Sequence, residues 1–352
     1  MEWISCTIVV FLISTLHAVT THVYMEEEQE GMPFMETDAS NTHGRHAFKD
    51  EGESQVLCGL RPKRMSARRL DTVQFEDYEE SDTHRYDKIL GGSFAAPGEF
   101  PWQANLRLLK PSKVRVKYKP ECGGAILNSY WILSAAHCFV GKSPSSFRVT
   151  VGDHDVTQED EGEQEFNISK IIIHENFNKA KYDYDIALVK IQPGRNGRGI
   201  HFNSVVQPIC LPTRADNPRS GTDIMVAGWG RSRLSGMLSP RILKKTVLPL
   251  LNQTLCRILF QDKMTPRMFC AGYIYGDNDV CGGDSGGPGT YSFADVYILH
   301  GLISFGTGCR SPNYPSVFVK VRMFLDWIYR NIKQHSYSQT ERGLPSRPVS
   351  SH

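Results

Sequence analysis

Past Ile89 the chain is written in short apolar or alternating runs punctuated by glycine and proline. Side chains along an extended backbone point alternately to opposite faces, so runs of this kind predict strands. Six stretches read this way: Cys122–Leu127, Trp131–Ser134, Phe147–Val151, Ile186–Val189, Ile224–Ala227 and Tyr297–Leu299. Together they predict an all-β domain. Near the end the period changes. Phe324, Trp327, Ile328 and Ile332 fall at helical spacing, which predicts an amphipathic terminal helix whose apolar side packs on the core. The tail over residues 334–352, rich in Ser, Pro and Arg, is expected to be disordered. At the other end, residues 19–88 show no sustained period, begin acidic at Glu26, Glu27, Glu28 and Glu30, and are expected to form a mostly disordered propeptide.

Residues Ile8–Leu16 are a short apolar run followed by small and polar residues around Ala18, the pattern of a secretory signal peptide over residues 1–18. Its start carries Glu2 and no Lys or Arg, so its positive end is the α-amino group alone. A core this short falls below the ~20 apolar residues that cross a bilayer. The expectation is a secreted, extracellular chain with no membrane span. At 352 residues it is long enough for a large core, and a net charge of only +2 gives no global field for nucleic acid or membrane partners. There are nine cysteines, and removing Cys6 with the signal leaves an even number, which suits an oxidising compartment. Spacing alone does not pair them. Asn167-Ile-Ser169 and Asn252-Gln-Thr254 are glycosylation sequons.

The chemistry concentrates in Val280-Cys-Gly-Gly-Asp-Ser-Gly-Gly-Pro288. Glycines around Ser285 allow backbone conformations that a side chain forbids and let a substrate carbonyl approach main-chain N–H groups. A serine hydroxyl needs a base, and the base an orienting acid. His137, in Ser134-Ala-Ala-His-Cys138, and Asp185, in Asp185-Ile-Ala-Leu-Val189, are the candidates. Each motif is weak singly, being at home in an ordinary turn, a packed His–Cys pair or a strand cap.

In the order His, Asp, Ser, and with the cysteines beside them, these motifs resemble the trypsin/chymotrypsin-like serine proteases from Ile89 to about Lys333. The resemblance implies two six-stranded antiparallel β-barrels plus a C-terminal helix, with His137 and Asp185 on the first barrel, Ser285 on the second and the active site in the cleft between them. It implies that Ser285 attacks a peptide carbonyl while His137 takes its proton, Asp185 fixes the imidazole, and the N–H groups of Gly283 and Ser285 form the oxyanion hole. It pairs Cys58 with Cys210, Cys122 with Cys138, Cys256 with Cys270 and Cys281 with Cys309. The first of these ties the propeptide to the protease domain.

The resemblance also implies zymogen activation. Cutting after Lys88 frees the α-amino group of Ile89, which inserts beside Asp284 and orders the turn carrying the nucleophile. Phe100-Pro-Trp-Gln103 follows at the family's spacing. Asp279, six residues before Ser285, would floor the primary pocket and select Arg or Lys. Ser304 and Gly306 match the segment that pairs with substrate backbone, though Phe305 stands where Trp is usual. Ser316 replaces a usual glycine and narrows the pocket, while Val280 removes a hydroxyl. These departures imply a slower, choosier enzyme. No cofactor is required for catalysis, but Asp153, Asp160 and Glu163 share the spacing of the family's calcium-loop acids and are candidate ligands of a structural Ca²⁺, with a solvated acidic loop as the plain alternative.

Lys113, Arg115, Lys117 and Lys119 alternate at period two, which puts four cations on one face as a candidate exosite for an acidic protein or a glycosaminoglycan. Arg61-Pro-Lys-Arg64 is a candidate convertase processing site, with a solvated basic linker as the plain alternative. The expected partners are protein substrates and an activating trypsin-like or convertase protease. The leading expectation is a secreted, zymogen-activated serine endopeptidase cutting after Arg or Lys in limited proteolysis. The alternative is a catalytically silent homologue that serves as a binding or adhesion protein, which the complete set His137, Asp185 and Ser285 speaks against.

Overall fold

The computed structural model describes residues 57–61, 92–110, 117–194, 197–230, 240–274, 284–306 and 315–340. Alternation along residues 92–191 becomes strands β1 (Ser93–Phe94), β2 (Gln103–Lys110), β3 (Lys117–Ile126), β4 (Trp131–Ser134), β5 (Phe147–Val151), β6 (Gln164–Ile173) and β7 (Ala187–Ile191). Strands β2, β3, β4, β7, β6 and β5 pair in that order into a closed antiparallel barrel. Inward positions such as Leu106, Ile126, Ile132, Phe147, Val149 and Val189 are fully buried and fill it.

The second half supplies β8 (Asp223–Gly228), β9 (Lys244–Pro249), β10 (Met268–Ala271), β11 (Pro288–Phe293), β12 (Val296–Phe305) and β13 (Ser316–Lys320). Their sheet order is β1-β9-β8-β11-β12-β13-β10, so this sheet counts seven strands where six were expected. The extra strand is β1, two residues long, which hangs on the edge of β9. The other six curl back on themselves, because Leu250 bridges Ala271 and joins the ends of β9 and β10.

Helix α1 (Gln253–Phe260) is capped by the Asn252 side chain, which accepts the Thr254 N–H. Helix α2 (Leu325–Thr340) follows a 3₁₀ turn at Val321–Phe324. Its buried Trp327, Ile328 and Ile332 join one core cluster with Trp131 and Leu188 of the first barrel and Leu299 and Leu302 of the second. The helix therefore covers the seam between the barrels.

The expected disordered tail begins too early. Residues 334–340 continue α2, because no helix breaker occurs before Gly343 and the added turns find partners. The Ser336 hydroxyl donates to Ile332 O, and the buried Lys190 ammonium donates to His335 O at 2.9 Å. That cation satisfies a late helical carbonyl from the opposite element. Among the described residues no helix is long and apolar enough to cross a membrane. The expected signal peptide, the expected propeptide except for residues 57–61, and residues 341–352 lie outside the described residues.

Candidate active site

His137 sits on a 3₁₀ turn, Ala136–Cys138, that follows β4. The Cys122–Cys138 disulfide ties this turn back to β3. Its Nδ1 is 2.7 Å from Asp185 Oδ2, and its backbone N–H donates to Asp185 Oδ1 at 2.8 Å. Asp185 is fully buried, yet both carboxylate oxygens are engaged. A third donor comes from the other barrel: Ser304 Oγ, on β12, reaches Asp185 Oδ2 at 2.5 Å. A buried carboxylate is tolerated only with such a set of donors, and the set fixes the imidazole's orientation.

Ser285 is brought to the same place by backbone contacts. Its carbonyl accepts the Gly123 N–H of the first barrel at 2.8 Å and lies 3.8 Å from Cys138 Sγ, in the residue after His137. The turn is held open by Gly286, whose φ of +79° belongs to the left-handed region. A Cβ there would also lie 2.2 Å from Ser134 Oγ, so a larger residue would break the contact between barrels. Asp284 is buried beneath this turn, and its Oδ1 accepts the Gly230 N–H at 2.7 Å.

The loop before Asp185 is strained and pinned. Tyr182 and Tyr184 both have φ of +55°, a costly conformation for residues with a Cβ. Between them Asp183 accepts from Arg267 Nε and Nη2 at 2.8 and 2.6 Å and from Thr265 Oγ1 at 2.9 Å, all from the second half of the chain. Burial works against the Asp183 charge, but the Arg267 and Thr265 hydrogen bonds and the Arg267 charge outweigh it and hold its carboxyl below the ordinary value. Arg267 also stacks on the Tyr184 ring, 4.2 Å from its centroid.

Tyr182 meets His137 edge to face at 5.4 Å and Phe305 at 5.3 Å, while Phe305 abuts Phe260 at 6.0 Å. This aromatic wall runs away from the imidazole. Sequence reasoning missed Tyr182 and Arg267. The only signal for Tyr182 is its place three residues before Asp185, and Arg267 has none, since its partner is distant in sequence.

Ser316 begins β13, is buried, and pairs in register with Ala271. Gly306 is exposed at the end of β12. Among the described residues three disulfides are present: Cys58–Cys210, Cys122–Cys138 and Cys256–Cys270. Gly283, Asp279, Lys88, Ile89, Cys281 and Cys309 lie outside the described residues, as do Lys113 and Arg115. Lys119 is exposed on β3, and Lys117 begins that strand. Asn167 is exposed on β6, and its sequon partner Ser169 donates to Lys190 O and Ile191 O. Asn252 is exposed at the head of α1.

Away from the cleft, one carboxylate oxygen from each of Asp153, Asp160 and Glu163 comes within 4.8 Å of the other two. Asp160 Oδ2 accepts the His154 and Asp155 N–H groups, and Asp153 Oδ2 accepts from Asn105 at 2.8 Å. Asp153 Oδ1 is buried without a hydrogen-bond partner. Burial pushes Asp153 up to about 6 and Glu163 up to about 7, and their neighbouring carboxylates add repulsion. Three hard oxygens, with the unpartnered Asp153 Oδ1 belonging to one of the same carboxylates, fit a divalent cation such as Ca²⁺.

Comparison with known proteins matches the family described as Trypsin over residues 89–328. Over 249 residues the chain is 37% identical to transmembrane protease serine 5 of Homo sapiens, covering 69% of this chain and 51% of that protein. Over 243 residues it is 37% identical to coagulation factor XI of Bos taurus, covering 68% of this chain and 37% of that protein. The chain thus spans about half of one relative and just over a third of the other.

Proposed function

The chain belongs to the trypsin family of serine proteases, and from that premise we infer that it is a secreted serine endopeptidase, made as a zymogen, that cuts a limited set of proteins after Arg or Lys. The observation that carries the catalytic reading is the hydrogen-bonded line from His137 through Asp185 to Ser304, which crosses between the barrels beside Ser285. On this reading Ser285 is the nucleophile. His137 accepts its proton and passes it to the leaving amine, Asp185 holds the imidazole tautomer and offsets the charge that forms on it, and the N–H groups of Gly283 and Ser285 receive the oxyanion. Water then releases the acyl group by the same steps.

Specificity and activation rest on the sequence resemblance. Asp279 would pair with the cation of the substrate side chain, and Ser316 would narrow that pocket. Cutting after Lys88 would let the Ile89 α-amino group meet Asp284, which supports this reading by being buried and already tied to Gly230. Secretion is supported by the apolar run at Ile8–Leu16 and by the disulfides. Asp153, Asp160 and Glu163 would hold a structural Ca²⁺, which would neutralise three crowded carboxylates and stiffen their loop.

The deciding experiment cuts the purified zymogen after Lys88 and follows hydrolysis of matched Arg, Lys and Phe peptide substrates, with Ser285→Ala as control. Turnover of the Arg or Lys peptide that appears only after the cut and is absent in the control is the expected result. Complete cutting with no turnover and no labelling of Ser285 by a small phosphonate would overturn it in favour of a silent binding protein.

A further inference from the structure

Residues 57–61 are the only described stretch that precedes the protease domain, and they lie across the seam between its barrels. Gly59 N–H donates to Pro208 O at 2.8 Å, on the connection between the barrels, and Gly59 O accepts the Tyr297 N–H of β12 at 2.9 Å. Cys58 and Cys210, joined beneath this crossing, are 4% and 3% exposed. The backbone rests directly on the disulfide. Gly59 has φ of +66°, and a Cβ there would lie 2.3 Å from Tyr297 O and 3.0 Å from Cys210 Sγ.

Two residues on, Arg61 is not solvated as a linker arginine would be. Its guanidinium carbon lies 4.1 Å from the Tyr297 ring centroid, 4.9 Å from Phe100 and 5.9 Å from Trp102. One Nη approaches Met225 Sδ at 3.7 Å and the other lies 3.9 Å from Glu99 Oε1. Phe100 and Trp102 lead into β2 of the first barrel, whereas Met225 and Tyr297 belong to β8 and β12 of the second sheet. Glu99 is itself fixed by Lys245 Nζ at 2.5 and 2.7 Å and by the Ala96 N–H at 2.8 Å.

Arg61 Nε is buried without a hydrogen-bond partner, so the cation is held by ring faces and one carboxylate and not by a full set of donors and acceptors. A planar guanidinium suits such a cage better than an ammonium, which is compact and strongly hydrated. If the guanidinium leaves, the aromatic surface and the backbone above the disulfide are opened together, since Tyr297 serves both.

We propose that Arg61, caged by Phe100, Trp102, Tyr297 and Glu99, is a second, non-covalent lock that seats residues 57–61 across the two barrels and shields the Cys58–Cys210 disulfide from reduction. The segment ahead of the protease domain is then a resident part of the folded molecule and not a leash on a single bond. Reduction requires a thiolate to reach one Sγ in line with the bond, forming a mixed disulfide and expelling the other Sγ as a thiolate. With a dithiol, the second thiol closes a cyclic disulfide, so the reagent loses two electrons and Cys58 and Cys210 become free thiols. The lock acts by denying the first approach.

The test is native-state reduction of the full, uncut chain by dithiothreitol, quenched by alkylation and mapped by mass spectrometry. Arg61→Ala should open Cys58–Cys210 at least about tenfold faster than the unaltered protein, and Arg61→Lys should fall between them. Cys122–Cys138 in the same tube is the reference and should keep its rate. An unchanged Cys58–Cys210 rate in Arg61→Ala would overturn the proposal, and so would equal acceleration of both disulfides, which signals general loosening. A second measurement removes the covalent tie. In a Cys58→Ser/Cys210→Ser protein the Tyr297 amide should stay protected from hydrogen exchange, and adding Arg61→Ala should abolish that protection. Equal exchange in the two proteins would count against the lock. Neither readout uses proteolytic activity, so the outcome is independent of the catalytic reading.

Discussion

Ser304 shows how far a residue's role depends on its geometry. Its place in the chain matches the segment expected to pair with substrate backbone, and its side chain has a separate partner in Asp185, 119 residues away. A hydrogen bond to a buried carboxylate is worth ~1.5–3 kcal/mol. On the proposed mechanism, Ser304→Ala should therefore lower kcat/KM by roughly 10–100-fold, mostly through kcat, as steady-state kinetics would show. A loss confined to KM would show that the hydroxyl acts on substrate binding instead of on Asp185. Asp153 and Glu163 make a different prediction. Burial raises both, to about 6 and about 7, so the folded state holds their protons more tightly than the unfolded chain does. That contribution is complete below the ordinary carboxylate range and is lost as pH rises through the folded values. It is at most ~3 kcal/mol for the well-buried Asp153 and less for the more solvated Glu163. Metal-free protein should thus lose Tm between pH 5 and pH 8, and millimolar Ca²⁺ should restore it at pH 8. Asp153→Asn should flatten the pH dependence and blunt the calcium response, both read by thermal unfolding.

At the scale of elements, local pattern and long-range contact divide the work. Trp131–Ser134 and Phe147–Val151 form strands with the boundaries their alternation gives. Strands β3 and β12 run longer than their apolar cores, to Lys117–Ile126 and Val296–Phe305, because pairing carries polar residues along with the ladder. Helix α2 likewise outruns its apolar spacing, held by the Lys190 ammonium from β7. The loop before Asp185 is the opposite case. Tyrosine does not favour the left-handed region, and beside the local bond from Tyr184 N–H to Asp183 Oδ1 the loop is tied down from Asp183 to Arg267. Arg267→Met should cost about 2 kcal/mol of stability and lower kcat by roughly tenfold as the loop relaxes, with the fold retained by circular dichroism. Because the Asp183 carboxyl is held low in the folded state, its contribution is present at neutral pH and fades as pH falls through that lowered value. In Arg267→Met that part of the acid sensitivity should disappear.

For the whole molecule, the proposed catalytic groups belong to two halves that meet at a seam, and the seam is closed from several sides. Helix α2 covers it with Trp327, Ile328 and Ile332, the Asp183–Arg267 pair crosses it, and residues 57–61 lie over it. Ile328 is fully buried there, so Ile328→Ala should cost ~2–5 kcal/mol and lower Tm by about 2–4 °C for each kcal/mol, measured by calorimetry. The all-β class and the terminal helix were legible in the sequence, which also named His137, Asp185 and Ser285 as the candidates for the site. Alternation, helical spacing and motif order are local properties that neighbouring residues carry by themselves. Tertiary structure alone decided that Ser304 serves Asp185, that Arg267 holds the loop beneath it, that α2 runs to Thr340 and that Arg61 enters an aromatic cage. Each of these depends on partners scores of residues apart, whose meeting is set by barrel closure and sheet register, and no local pattern encodes that meeting.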